Sequence, residues 1–260
     1  MPHSLVRVEH VMGMAISLDL SDDLPLPELE RLADGVFGWL RLVDSVFSTY
    51  KPDSEISRLG RGELRREQCS PFVGEVLDRC AELWQETGGY FDINAGGTLD
   101  PSGYVKGWAV QRACDRLRAE GAANHCLNAG GDIFVSGSPG PRKNWRVGIR
   151  HPWEPLAVAW VLEVTDTAVA TSGTYERGLH VIDPYTGKPA SALRSVTVVG
   201  PELGTADAYA TAALAMGLKG IDWLATLPGH ECAVVTEDGR ALRSDGLPVE
   251  LGAADLSPGQ

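Results

Sequence analysis

The stretch Thr205-Ala206-Asp207-Ala208-Tyr209-Ala210-Thr211 carries a carboxylate and a hydroxyl four residues apart. On a helix that spacing brings both oxygens to one face. Such donors suit a hard cation such as Mg²⁺, which keeps waters or ligand phosphate oxygens in its remaining positions. The plainer alternative is that Thr205 caps the helix and Asp207 complements its positive end, and the two residues alone favour it. A second segment, Asp100-Pro101-Ser102-Gly103-Tyr104-Val105-Lys106, offers an acid, a glycine with an approachable carbonyl, and a lysine just inside a helix start. Together these suit a phosphate-bearing ligand, while a turn followed by a solvated helix fits equally well. His180 lies in a short strand-like stretch that leads straight into the turn Asp183-Pro184-Tyr185-Thr186-Gly187. There it can take a proton at a cleft edge, although a lone histidine is more often structural. Tyr50 and the pair Tyr90-Phe91 can stack on a planar ring, with core or rim packing as the plainer role.

The elements that must position these residues follow from periodicity. Apolar residues Leu29, Leu32, Val36, Leu40, Val43 and Phe47 recur at steps of three and four, which predicts a helix over 27–47. A second helix is predicted from Ser70-Pro71, a serine cap with proline in the first turn, to Gly88-Gly89. Further helices are expected over 105–120, 206–216 and 221–227. Residues 8–20 read as one strand with Met12-Gly13 in its middle, and 133–136, 145–149, 158–164, 179–182, 196–199 and 232–236 read as further strands. Helices early and strands clustered later predict an α+β fold rather than repeated βαβ units. Asn94-Ala95-Gly96-Gly97 recurs as Asn128-Ala129-Gly130-Gly131, too short an echo to make a repeat.

Composition narrows the classes. The 260 residues, 43% hydrophobic and 22% charged, are those of a globular protein with no linker-like segment, and one domain is expected. The net charge of −12 would repel nucleic acid and anionic lipid. No apolar run reaches the ~20 residues that cross a bilayer, and the first twenty residues lack a signal-peptide pattern or a lipid-anchor cysteine, so a cytoplasmic protein is expected. Five widely spaced cysteines read as buried free thiols. The chain has no G-x-x-x-x-G-K-[ST], no G-x-G-x-x-G after a strand, no H-E-x-x-H and no G-x-S-x-G.

In combination and in this order, several segments resemble the ApbE-type FAD:protein FMN transferase family, formerly labelled thiamine-biosynthesis lipoproteins. They are Met12-Gly13, Ser48-Thr49-Tyr50 with residues 54–59, Gly89-Tyr90-Phe91-Asp92, residues 100–109, Asn128-Ala129-Gly130-Gly131-Asp132, Ala170-Thr171-Ser172-Gly173, residues 180–187 and residues 205–217. The resemblance implies one α+β domain over 1–260, with mixed or antiparallel sheets flanked by helices and a ligand cleft between two halves. Members of the family cleave FAD and attach its FMN half to a threonine or serine hydroxyl of a target protein, releasing AMP with Mg²⁺. The family's metal ligands fall on Asp207, Thr211 and the backbone carbonyl of Gly103. Its flavin-nucleotide contacts fall on Met12, Tyr50, Tyr90, Phe91, Asp92, Asp100, Lys106 and Val181, and His180 matches a histidine expected to act as base. Family acceptors carry Ser/Thr-Gly-Ala-[ST]; no Gly-Ala-[ST] occurs here, so the expected target is another protein. Two departures are Met14, where many members have threonine, and the missing lipobox. The competing expectations are an FAD pyrophosphatase yielding FMN and AMP, and a non-enzymatic FAD-binding protein.

Overall fold

The computed structural model describes residues 4–140, 143–154, 156–174 and 181–250. Its frame is an eight-stranded sheet, antiparallel throughout, in the order β1-β2-β3-β4-β7-β10-β11-β12. These strands are β1 (Leu5–Val11), β2 (Met14–Leu20), β3 (His125–Ala129), β4 (Asp132–Ser136), β7 (Thr167–Gly173), β10 (Leu193–Gly200), β11 (Glu231–Thr236) and β12 (Ala241–Arg243). The hairpin of β5 (Trp145–Arg150) and β6 (Val158–Val164) forms a separate two-stranded sheet, as do β8 (Ile182–Asp183) and β9 (Lys188–Pro189).

Helices α1 (Leu26–Phe47), α4 (Ser102–Ala119) and α5 (Leu203–Met216) pack on one face of the large sheet, against Ile16, Leu18, Leu127, Phe134, Ala170, Val196 and Val198. The β5–β6 hairpin covers the other face, where Trp145, Val147, Ile149, Trp160 and Leu162 meet Ile133, Val135, Val169, Val199 and Val235. Central strands buried on both faces lose the apolar/polar alternation of a half-exposed strand. All five residues of β4 are buried, whereas β1 at the sheet edge alternates. Shorter helices are α2 (Glu55–Gly60), α3 (Pro71–Glu86), α6 (Leu218–Leu224) and a 3-10 turn at Arg66–Gln68. The architecture is α+β, as the element order predicts.

Residues 8–20 are not one strand. Met12 and Gly13 both take positive φ, 56° and 75°, and Val11 pairs with Met14, so the chain reverses there in a two-residue turn. Two consecutive positive-φ residues give the turn twist that matches paired strands. The β3–β4 connection repeats the device at Gly130-Gly131, with φ of 61° and 97° and Ala129 paired with Asp132. The similar Asn94-Ala95-Gly96-Gly97 lies in a loop, so the echo is not structural. At α3 the side chain of Ser70 makes no capping bond, and Ser70 N–H donates instead to Glu55 Oε2 (2.6 Å). Residues 179 and 180 of one expected strand lie outside the described residues, and β8 begins at Ile182. The five cysteines are free thiols, with Cys80 and Cys114 buried.

Six alanines in α5 keep that helix thin, and twelve of its residues are buried. At Gly107 of α4 an added Cβ would lie 2.5 Å from the Leu203 carbonyl oxygen and 2.8 Å from Gly204 Cα. Neither backbone can yield without moving the helix. Gly107→Ala is therefore expected to cost about 1–3 kcal/mol, read from urea unfolding. A loss below about 0.5 kcal/mol, the scatter of a neutral surface change, would show that the α4–α5 separation is not set there.

Candidate active site

One end of the large sheet carries the Met12-Gly13 and Gly130-Gly131 turns and the last residues of β7. The N-terminal turns of α4, the C-terminal end of α1 and strand β5 close around that end. Between them lies a cavity of about 1050 Å³ that runs from the helical layer to the β5–β6 layer. It stands at the top of the roughly 300–1,000 Å³ range of small-molecule sites.

Its floor is charged. Asp132 opens β4, and the period of two turns its side chain to the helical face with Phe134. There Asp132 is fully buried, and its Oδ2 lies 2.6 Å from Lys106 Nζ of α4. Thr171 N–H donates to Asp132 Oδ1 (3.2 Å). Asp207, 3% exposed, approaches the same pair from α5, and its Oδ2 is buried with no hydrogen-bond partner among the described residues. Burial first, and then the Asp132 carboxylate, holds the pKa of Asp207 well above its ordinary 3.8, against the pull of Lys106 and the backbone of Gly107. One turn along α5, Thr211 Oγ1 lies 3.1 Å from Ser172 Oγ and 3.5 Å from where a Cβ on Gly103 would stand. The unpartnered Asp207 oxygen thus lies one helical turn from a hydroxyl that stands against the start of α4 at Gly103.

Three contacts hold α5 in register. Glu202 caps it, accepting from Gly204 N–H (2.8 Å) and Thr205 N–H (2.6 Å), so the cap is Glu202 and not Thr205. Capping of this kind contributes about 1 kcal/mol. Thr205 instead accepts from Arg79 of α3 (3.2 Å), which also pairs with Glu86 (2.7 Å). Tyr209 O–H donates to Glu86 (2.9 Å), and burial together with that carboxylate pushes the phenol up to about 12.

Eleven of the residues singled out from sequence line this cavity: Met12, Tyr50, Tyr90, Phe91, Asp92, Asp100, Gly103, Lys106, Val181, Asp207 and Thr211. His180 lies outside the described residues. Tyr50 stands at the mouth, 90% exposed, whereas Phe91 is buried against Gly103. Tyr90 packs on Tyr185 with centroids 4.9 Å apart, and Tyr185 O–H donates to the Gly88 carbonyl (2.5 Å). Asp92 and Asp100 each spend one oxygen on a local turn, accepting from Asn94 N–H (2.8 Å) and Ser102 N–H (3.0 Å). Met14 Sδ stands 3.0 Å from the Cβ position of Gly130, so it packs on the β3–β4 turn. Sequence reasoning quoted Asp132 and Ser172 within motifs without giving either a place in the site. The only local signal for Asp132 was a carboxylate directly after a Gly-Gly turn.

The ApbE family model matches residues 12–99 and 94–234, most of the chain and every cavity segment named above. The chain belongs to the ApbE family. Among its relatives, the FAD:protein FMN transferase of Haemophilus influenzae is 32% identical, over 72% of this chain and 73% of the relative. That of Treponema pallidum is 33% identical over 75% of this chain and 57% of the relative, and that of Vibrio cholerae 36% over 46% and 39%. The chain's match thus spans well under two thirds of several of these ApbE relatives. Solved ApbE structures share the fold: the flavin transferase ApbE from Vibrio cholerae superposes with a TM-score of 0.81 at 23% identity, covering 94% of this chain and 97% of that one. The ApbE protein of Thermotoga maritima gives 0.81 at 22%, with the same coverage. No described helix is long and apolar enough to cross a membrane.

Asp207 weakens the fold at neutral pH. A carboxylate whose folded pKa is raised binds more protons in the folded state than in the unfolded state above pH 3.8. Its contribution to stability therefore falls as pH rises through that window. Asp207→Asn is expected to melt higher than the parent at pH 7 without divalent cations, the gap narrowing as pH falls towards 4. Thermal melts across pH test this, and a variant less stable than the parent at pH 7 would contradict it.

Proposed function

We propose that the chain is an FAD:protein FMN transferase, a single catalytic domain over 1–260 that cleaves FAD at its diphosphate. The FMN phosphoryl group passes to a serine or threonine hydroxyl of a separate acceptor protein, and AMP leaves. The observation that carries this reading is the buried Asp207 carboxylate, whose Oδ2 has no hydrogen-bond partner among the described residues, one helical turn from Thr211, which stands against Gly103 at the floor of a cavity of about 1050 Å³ in a chain of the ApbE family.

The donor set fits a hard divalent cation. Among the described residues no group of three or more His, Cys, Asp or Glu side chains forms a cation site. Mixed oxygen donors, the Asp207 carboxylate, the Thr211 hydroxyl and the backbone carbonyl of Gly103, are the set that would hold Mg²⁺. When bound, the cation neutralises charge on the diphosphate oxygens as the bond between the phosphates breaks.

The remaining roles belong to the chain's own groups. Lys106, held by Asp132, presents a cation to the phosphates from the start of α4. Ser172 orients the Thr211 hydroxyl. Met12, Tyr50, Tyr90, Phe91, Asp92, Asp100 and Val181 supply apolar, stacking and hydrogen-bonding walls for the two halves of the dinucleotide. His180 takes the proton of the acceptor hydroxyl. The acceptor segment is of the Ser/Thr-Gly-Ala-[ST] type.

Incubating the protein with FAD, Mg²⁺ and a domain bearing such a segment is expected to give AMP and flavin fluorescence that stays on the acceptor in a denaturing gel. AMP with free FMN alone would replace transfer by hydrolysis, and intact bound FAD would reduce the protein to a binder. Asp207→Ala is expected to lose about 10²–10³-fold in Mg²⁺-dependent turnover, the usual effect of removing a preorganised electrostatic stabiliser. Near-parental turnover in a folded Asp207→Ala protein would remove Asp207 from the metal site.

A further inference from the structure

Strand β5 borders the cavity with four consecutive residues, Val147, Gly148, Ile149 and Arg150. Successive side chains of a strand point to opposite faces, and those of Val147 and Ile149 are buried between the hairpin and the large sheet. The strand therefore meets the cavity with its backbone edge rather than with one face.

Hydrogen bonds on the far side of the hairpin fix which backbone groups of β5 point away from β6. Glu163 N–H donates to the Pro248 carbonyl (2.9 Å), and the Val161 carbonyl accepts from Glu250 N–H (2.8 Å), so both residues of β6 turn their polar groups away from β5. Their partners across the ladder are Arg146 and Gly148. In an antiparallel ladder the two residues of such a pair both face outward. The N–H and C=O of Arg146 and Gly148 thus point out from the free edge of β5. The two edges of the hairpin differ: residues 248–250 cover that of β6, with Leu162 bridged to Val249, while β5 has no strand partner other than β6 among the described residues. Gly148 is exposed and puts no side chain in the way.

We propose that the acceptor protein docks on this edge by β-strand addition, an extended hydroxyl-bearing segment pairing main chain to main chain with β5 at Gly148. The inference rests on the transferase reading. A protein hydroxyl must enter the cavity that holds Asp207 and Thr211, and the free edge is continuous with that cavity. A single extended strand can pass where a folded surface cannot. Unpaired edges invite strand pairing and are commonly blunted or covered, and main-chain pairing on an exposed edge is an established mode of peptide recognition.

The test begins with the wild-type chain, FAD and Mg²⁺, and an acceptor domain whose hydroxyl residue is replaced by alanine so that it binds without reacting. Amide exchange at Arg146 and Gly148 is expected to slow about tenfold or more, the effect of one added hydrogen bond worth about 1.4 kcal/mol. Unchanged exchange at acceptor concentrations well above the acceptor's KM would overturn the proposal. A second test uses substitution: Gly148→Pro removes an outward N–H that β6 does not use, whereas Gly148→Ala keeps it, and the Cβ position touches only Val158 at 3.4 Å. The acceptor KM is expected to rise about tenfold more for the proline variant than for the alanine variant, and equal values would count against docking at this edge. A wild-type chain that flavinylates the acceptor with no slowing at β5 overturns only the docking edge. A chain that yields neither AMP nor flavinylated acceptor overturns the transferase reading itself.

Discussion

Two buried carboxylates, Asp132 and Asp207, share a single lysine ammonium at the meeting point of β4, α4 and α5. Burying an uncompensated charge is costly, so this cluster closes only if Asp207 keeps a proton or a further cation joins it. The surroundings are built around that demand. Asp132 is satisfied by Lys106 and by the Thr171 amide, and Thr211 has Ser172, while one oxygen of Asp207 is left with nothing to accept from. A buried carboxylate oxygen left without a partner costs stability, which a bound cation would recover.

The large-scale architecture serves the same point. Stacking helices on one face of the sheet and a hairpin on the other leaves the strand ends as the natural place for a cavity, and tight turns at Met12-Gly13 and Gly130-Gly131 keep that end clear. Close packing at Gly107 brings the start of α4 beside α5, and the Glu202 cap with the Arg79–Glu86–Tyr209 contacts prevents α5 from sliding. Charge, helix spacing and turn geometry act together to place the Asp207 carboxylate and the Thr211 hydroxyl at the floor of the cavity.

Much of this was legible in sequence where a single element encodes it. The Asp207–Thr211 pair shares a face because both stand on one helix, and α1 was readable from its apolar stripe. What escaped depends on distant residues or on residues chosen for unusual reasons. The β1–β2 turn was read as strand because Met12 takes a positive φ that methionine rarely adopts, and apolar residues continue on both sides of it. Strand β7 escaped because Thr167–Gly173 is built of small residues and is largely buried, without alternation to show. Asp132 could not be assigned from spacing, since its partners Lys106 and Asp207 come from two other helices. The free edge of β5 is visible only once the hydrogen bonds of β6 are known.

The most direct test of the central claim is anomalous diffraction from crystals grown with FAD and Mn²⁺, a detectable stand-in for a hard divalent cation that takes the same oxygen ligands. The account predicts a peak bonded to the Asp207 carboxylate, the Thr211 hydroxyl and the Gly103 carbonyl at about 2.0–2.2 Å, as for small octahedral cations, with Lys106 still paired to Asp132. A bound dinucleotide with no peak at Asp207, or a peak ligated elsewhere in the cavity, would contradict it.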